Sequence, residues 1–288
     1  MSKKRKFEED TLTPLSRSNF KRYYSISTAP RSIETLMGAL DEFVESYFRL
    51  HDGPGGWMVA KYSFDQSIKL SAVSKYNKCI ENNEERSSAI EKVAKSLWTS
   101  DQENSCTKGK KQFFSMVNES IRRDDSDLMR PLALIVRAIN KLCLYKSDVF
   151  PEEGFCWRGG GMMASNRDFF VRGKKYRVPG FLATSFSIKV AKSFLNYAGD
   201  RGEEPILWTV ILDERGETQP KHRCLHVNLL NSHKHGEQEF LFVPYSTFTV
   251  QSVTWSPFPN REMPHRVTIV AANDNKAEPE DLPVAPWY

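Results

Sequence analysis

The sequence predicts an α+β protein, with a helical amino-terminal half followed by a strand-rich half whose sheet is antiparallel or mixed. Two observations carry this reading. Apolar residues recur at helical spacing from Ser32 to about residue 146, and after Pro151 the chain turns into short runs of β-branched and aromatic residues separated by turn residues. With 288 residues, 40% hydrophobic and 12% aromatic, the chain is long enough to bury a sizeable core. The net charge of +5 is mild and partly concentrated in KKRK, Lys3 to Lys6, so it does not compel binding to a polyanion.

Taken in order, residues 1–31 read as a flexible basic tail, rich in Lys, Arg, Ser, Thr and Pro, whose KKRK resembles a nuclear import signal. Ile33, Leu36, Met37, Leu40, Val44 and Tyr47 then fall on one helical face, with Ser32 as N-cap and Gly53-Pro54 as the stop. Ile90, Val93, Ala94, Leu97 and Trp98 make a second stripe, Phe113, Phe114, Val117 and Ile121 a third, and Leu132, Ile135, Val136, Ile139, Leu142 and Cys143 a fourth. Residues 32–150 are thus a helical region whose stripes are core. Residues 151–272 hold the strand runs FCWR, GFLATSFS, ILWTVIL, CLHVNLL, EFLFV, STFTVQSVTW and RVTIVAA, with one helix expected around Val190 to Tyr197. Residues 273–288 read as a second flexible tail.

Cys79, Cys106, Cys143, Cys156 and Cys224 are odd in number, widely spaced and free of any C-x-x-C pair, which points away from a disulfide framework or zinc knuckle and toward a reducing compartment. The longest apolar run, Leu132 to Val136, is cut by Arg137, and the amino terminus carries no signal-peptide stretch. The expectation is an intracellular protein with no membrane span and no metal.

Three segments place polar groups inside apolar strands. In FCWRGGG, Arg158 offers a planar fork suited to phosphate or carboxylate, and the following glycines let a ligand or another backbone come close. GFLATSFS carries Thr184 and Ser185 in a strand, and GEQEFLF opens an apolar run with Glu237 and Glu239. In an extended chain these two carboxylates share a face while Gln238 points away. Singly, each has an ordinary explanation: a strand-end arginine, strand hydroxyls, a solvated pair.

Together and in this order, over roughly Phe155 to Trp255, CWRGG, FLATS and EQEFLFVP resemble the arginine–serine–glutamate mono-ADP-ribosyltransferases of bacterial toxins and vertebrate cell-surface enzymes. The resemblance implies a two-sheet β core that clamps NAD as co-substrate. Arg158 and Gly159 would lie at its phosphates, and Thr184 and Ser185 would support the nicotinamide-side ribose and the neighbouring strand; Phe181 and Phe186 flank the hydroxyl strand and offer rings for stacking on nicotinamide, against the ordinary reading of strand aromatics as core. Glu239 would be the catalytic glutamate and Glu237 its acceptor-side partner, with a protein arginine as the favoured acceptor and NAD hydrolysis as a side reaction. Ala183 departs from the pattern, standing where the family has the first Ser of S-T-S. His233 and His235 belong to a loop before the glutamates, and Cys156 is a buried thiol.

Three rival readings stay open. One is a degenerate transferase fold that has lost turnover and acts as a binding module through its basic tail and surface loops. A glycosidase would need its carboxyls on opposite sides of the scissile bond, which residues about 6.5 to 7 Å apart on one strand face serve poorly. Nucleic-acid binding is the third and the least favoured.

Overall fold

A computed structural model describes residues 12–100, 112–141, 154–198, 202–212, 226–228 and 238–286. The helical part comprises α1 (Asn19–Ile26), α2 (Ile33–Phe64), α3 (Leu70–Glu81), α4 (Arg86–Trp98), α5 (Phe113–Arg123) and α6 (Ser126–Asn140). Ser32 caps α2, accepting from the Thr35 backbone N–H at 3.2 Å. The expected stop at Gly53 is a break rather than an end: Gly53 adopts φ 68°, a left-handed conformation open to glycine, and the chain then resumes helix to Phe64.

The helix beyond Gly53, a single π-turn over Asp65–Lys69 and α3 were not legible in the apolar pattern. Ala60, Phe64, Ile68 and Ala72 are all buried, so the stripe here has a strict period of four. In a regular helix of 3.6 residues per turn such a stripe drifts by about 40° at each step. The wider π-turn takes up part of that drift and keeps Ile68 and Ala72 toward the core.

The strands are β1 (Phe155–Met162), β2 (Lys175–Val178), β3 (Leu182–Ser185), β4 (Glu204–Ile211), β5 (His226–Asn228), β6 (Glu239–Phe242), β7 (Ser246–Thr254) and β8 (His265–Ala271). A short helix, α7 (Ile188–Ser193), and a 3-10 turn over Phe194–Tyr197 follow β3, where one helix was expected. The strand order is β2-β7-β8-β4-β1-β3-β6-β5; β4 and β8 run parallel and the other pairs antiparallel, a mixed sheet. The two expected sheets are two halves of this one ladder, joined between β1 and β3 at the pair Trp157 and Ser185. They fold onto one another: Cys156, Trp208, Val210, Phe248 and Ile269 from one half share a buried cluster with Leu182, Phe240 and Phe242 from the other. The Phe242 and Phe248 rings meet edge-on at 5.1 Å.

Alternation along β3 and β6 sends their opposite faces to different places. Leu182, Phe240 and Phe242 enter the cluster between the halves, whereas Ala183 and Leu241 join Phe181, Val243 and Tyr245 in the core of the helical layer. Helices and sheet therefore share one hydrophobic core across β3 and β6.

Both stretches expected to be flexible are folded in their described parts. Phe20 of α1 is buried, with the Tyr24 ring at 5.2 Å and the Tyr245 ring at 5.5 Å. The Asp124 carboxylate accepts from the backbone N–H groups of Asn19 and Phe20, both at 2.8 Å. At the other end, residues 275–285 lie along β2. The buried Arg177 guanidinium donates to the carbonyls of Pro279, Tyr245, Asn275 and Glu278, and Ala285 N–H donates to Arg177 O at 2.8 Å. Tail composition concealed this, because much of the anchoring runs from Asp124 and Arg177 to backbone N–H and C=O groups of the tails, which any sequence supplies. Among the described residues no helix is long and apolar enough to cross a membrane.

Candidate active site

β3 is the organising strand. On one side it pairs with β6, in register Ser185 with Glu239 and Thr184 with Phe240. On the other it meets β1, where Trp157 is opposite Ser185. Arg158, half-buried, donates from Nη1 to the Ala183 carbonyl at 2.9 Å. The arginine, a serine and a glutamate from three distant segments are thereby gathered on adjacent strands.

The hydroxyls of β3 have different tasks. Thr184 Oγ1 donates to Phe240 O at 2.7 Å, tying β3 to β6. Ser185 Oγ accepts from Ser187 N–H at 2.9 Å and so turns the chain into α7. Ser185 lies beside Glu239 on the face that Ala183 and Leu241 also occupy. At Ala183 the side chain is a partly buried methyl against the helical core, and only its carbonyl reaches Arg158.

Gly159 answers to a backbone rather than an open cleft. A Cβ at this position would lie 1.8 Å from the Ala191 carbonyl oxygen, so the missing side chain is what lets α7 settle on β1. Phe186 packs on Phe240 with ring centroids 5.0 Å apart and is partly buried at the cluster between the sheet halves. Cys156 is fully buried between the sheet halves.

Gln238 corrects the expectation of simple alternation through Glu-Gln-Glu. Its φ is 48°, left-handed rather than extended, and β6 begins only at Glu239. The side-chain geometry inferred from an extended chain does not hold through this turn. Gln238 O instead accepts from Phe186 N–H at 3.1 Å, which fixes the turn against the end of β3. Glu237, His233 and His235 lie outside the described residues.

The helical layer supplies neighbours that the strand motifs gave no sign of. Trp98, the last residue of α4, donates from its indole Nε1 to Glu239 Oε1 at 3.2 Å. Its ring is 4.7 Å from that of Phe181, the residue before β3. Lys95 lies three residues earlier on α4. Burial and the charge of Lys75 push its ammonium below the usual lysine range, while attraction to Glu239 pulls the other way. Asn118 of α5 grips the Phe181 backbone at both ends, accepting from Phe181 N–H at 2.8 Å and donating to Phe181 O at 3.3 Å. A helical spacing of 97, 98 and 90 reads only as core; nothing in it shows that the indole N–H would reach a strand 141 residues away.

No protein-family model matches the chain, and no curated protein matches it. Among solved structures, the chain is similar to the Vis toxin, an ADP-ribosyltransferase from Vibrio splendidus, at 16% identity over 72% of this chain and 86% of that one, with a TM-score of 0.46. It is also similar to exoenzyme S from Pseudomonas aeruginosa, solved with human 14-3-3 protein beta and carba-NAD, at 14% identity over 81% and 89% of the two chains and a TM-score of 0.43. A third is the type III effector XopAI from Xanthomonas axonopodis pv. citri, at 12% identity over 88% and 94% and a TM-score of 0.48. Among the described residues no cluster of His, Cys, Asp and Glu is arranged to hold a metal ion.

Proposed function

We propose that the protein is an NAD-dependent mono-ADP-ribosyltransferase acting on a protein side chain, with arginine as the acceptor and NAD hydrolysis as a side reaction. One observation carries the reading: β1, β3 and β6 bring Arg158, Ser185 and Glu239 onto adjacent strands, with Ser185 and Glu239 directly paired. These residues come from the three segments on which the resemblance rests.

In this scheme Arg158 binds the NAD diphosphate through charge-assisted hydrogen bonds. Gly159 shapes the strand beneath the phosphates, Phe186 flanks the nicotinamide side, and Thr184 and Ser185 hold the ribose-side strand. The bond between ribose C1′ and the nicotinamide nitrogen breaks with its electron pair passing to the ring, so the pyridinium leaves as neutral nicotinamide and needs no general acid. Positive charge builds on the ribose as an oxocarbenium-like centre. Glu239 stabilises that charge electrostatically and accepts from the 2′-hydroxyl. An acceptor guanidinium nitrogen then bonds to C1′ and gives up a proton, which Glu237 takes. When water attacks instead, the product is ADP-ribose.

The action is assigned to the interior of a cell, cytoplasm or nucleus, including a host cell into which the protein is delivered; the buried thiol of Cys79 supports a reducing environment. A second reading, a binding module without turnover, rests on Ala183 and on the engagement of the Thr184 hydroxyl with Phe240 O.

The test follows label from adenylate-labelled NAD into protein in a cell lysate, with the modified residue located by mass spectrometry, for wild type, Glu239→Ala and Glu237→Gln. The proposal requires labelled arginine with wild type, loss of labelling and of nicotinamide release in Glu239→Ala, and loss of labelling alone in Glu237→Gln. No labelling and no nicotinamide release from wild type would leave the binding-module reading in its place.

A further inference from the structure

At the end of α4 the indole N–H of Trp98 donates to Glu239 Oε1. Trp98 is 3% exposed, and its ring is held between Phe181 at 4.7 Å and Phe114 at 5.9 Å, so the direction of its N–H is set by packing. We propose that Trp98 is a positioning residue for Glu239: its indole fixes the rotation of the carboxylate and hence the direction in which the second oxygen faces the ribose. This rests on the reading of Glu239 as the carboxylate of the transition state.

A carboxylate at the start of a strand, next to a left-handed residue, has rotational freedom that a catalytic role must remove, because electrostatic stabilisation depends on preorganised geometry. A hydrogen bond from a neutral N–H holds one oxygen without transferring a proton to it or cancelling its charge, which a close ammonium would do. The anchoring is also two-point, since Trp98 packs on Phe181 while Asn118 grips the Phe181 backbone, so α4, α5, β3 and β6 hold the indole and the carboxylate in one frame. The helical layer then acts as part of the catalytic apparatus and not only as a cover for the sheet.

A buried tryptophan usually finds some acceptor, and a merely structural hydrogen bond would affect stability without a specific kinetic signature. The experiment therefore compares wild type, Trp98→Phe, Glu239→Ala and the double variant for nicotinamide release from NAD, with thermal melts of each. Phenylalanine keeps an aromatic ring against Phe181 and Phe114 and removes only the N–H. The expected result is a kcat about tenfold lower for Trp98→Phe with KM for NAD within about threefold, and a double variant no slower than Glu239→Ala alone. In parallel, the Trp98 indole resonance in ¹⁵N-tryptophan-labelled protein should move on Glu239→Ala. A wild-type kcat in Trp98→Phe, a further loss in the double variant, or an unmoved indole resonance would overturn the inference. Should Trp98→Phe fold poorly, the resonance decides, because Glu239→Ala leaves the tryptophan in place. Absence of nicotinamide release from wild type would sink the proposed function instead, and the resonance would still decide whether the contact holds the carboxylate.

Discussion

At the scale of the residue, the three candidate segments were legible because each puts a polar group where strand context disfavours one. What each polar atom touches was not. Gly159 was open to two readings, close approach of a ligand or of another backbone, and α7 supplies the backbone. Gly159→Ala would bring its methyl within 1.8 Å of Ala191 O, and relief requires α7 or β1 to shift. The expected cost is about 2 to 3 kcal/mol, a fall of roughly 3 to 5 °C in melting temperature for a chain of this size. Gly160→Ala meets nothing nearer than a Trp208 ring carbon at 3.8 Å and should melt much closer to wild type. Equal losses in the two variants would contradict the packing role of Gly159. Trp98 shows the same limit from the other side: apolar spacing marks it as core, while its partner depends on a fold that local pattern does not encode.

At the scale of elements, helix existence followed from the 3.6-residue stripes, whereas the kinked and π-bulged stretch after Gly53 did not, because its buried residues from Ala60 to Ala72 keep a period of four. The tie between α5 and β3 can be tested directly. Asn118→Ala leaves the Phe181 N–H and carbonyl without their present partners and should cost about 1 to 3 kcal/mol in denaturant unfolding. An unchanged midpoint would show that Asn118 does not hold the strand. At the start of β4, Glu204 reaches Arg167 at 2.6 Å and His265 of β8 at 3.2 Å. The His265 Nδ1 accepts from Ser256 N–H at 2.9 Å, which places the ring proton on Nε2, facing Glu204. Burial holds His265 below its ordinary 6.5, partly offset by Glu204. Burial pushes Glu204 up, but the hydrogen bonds from Arg167 and His265 outweigh it and leave the carboxyl below 4.5. Both groups bind protons less readily folded than unfolded, so their contribution is present above about pH 6.5 and is lost as pH falls through their lowered native values. Melts at pH 7.5 and 5 should show that loss, and His265→Gln should flatten its upper part. An unaltered slope in His265→Gln would exclude the histidine as its source.

At the scale of the whole molecule, the division into a helical region and a strand-rich core was readable from the change in periodicity, but their interdependence was not. Phe181, Leu241, Val243 and Tyr245 belong to the helical core, so neither half has a complete interior alone. The two chain ends also meet, through Ser16 N–H on Glu280 O and the ion pair of Lys21 with Glu280. Ending the chain at Ala272 would remove from Arg177 the carbonyls of Asn275, Glu278 and Pro279 and its backbone pairing with Ala285, at an expected cost of about 3 kcal/mol. A truncated chain as stable as wild type would show the carboxyl-terminal segment to be dispensable. The central claim, that β1, β3 and β6 assemble a site that cleaves NAD, is met most directly by the rate of nicotinamide release from NAD by the purified protein. Wild type should release nicotinamide at a measurable rate, Glu239→Ala should lose that release, and Arg158→Lys, which loses the planar fork while keeping the charge, should raise KM for NAD. Release that is absent from wild type, or that survives unchanged in Glu239→Ala, would contradict the central claim.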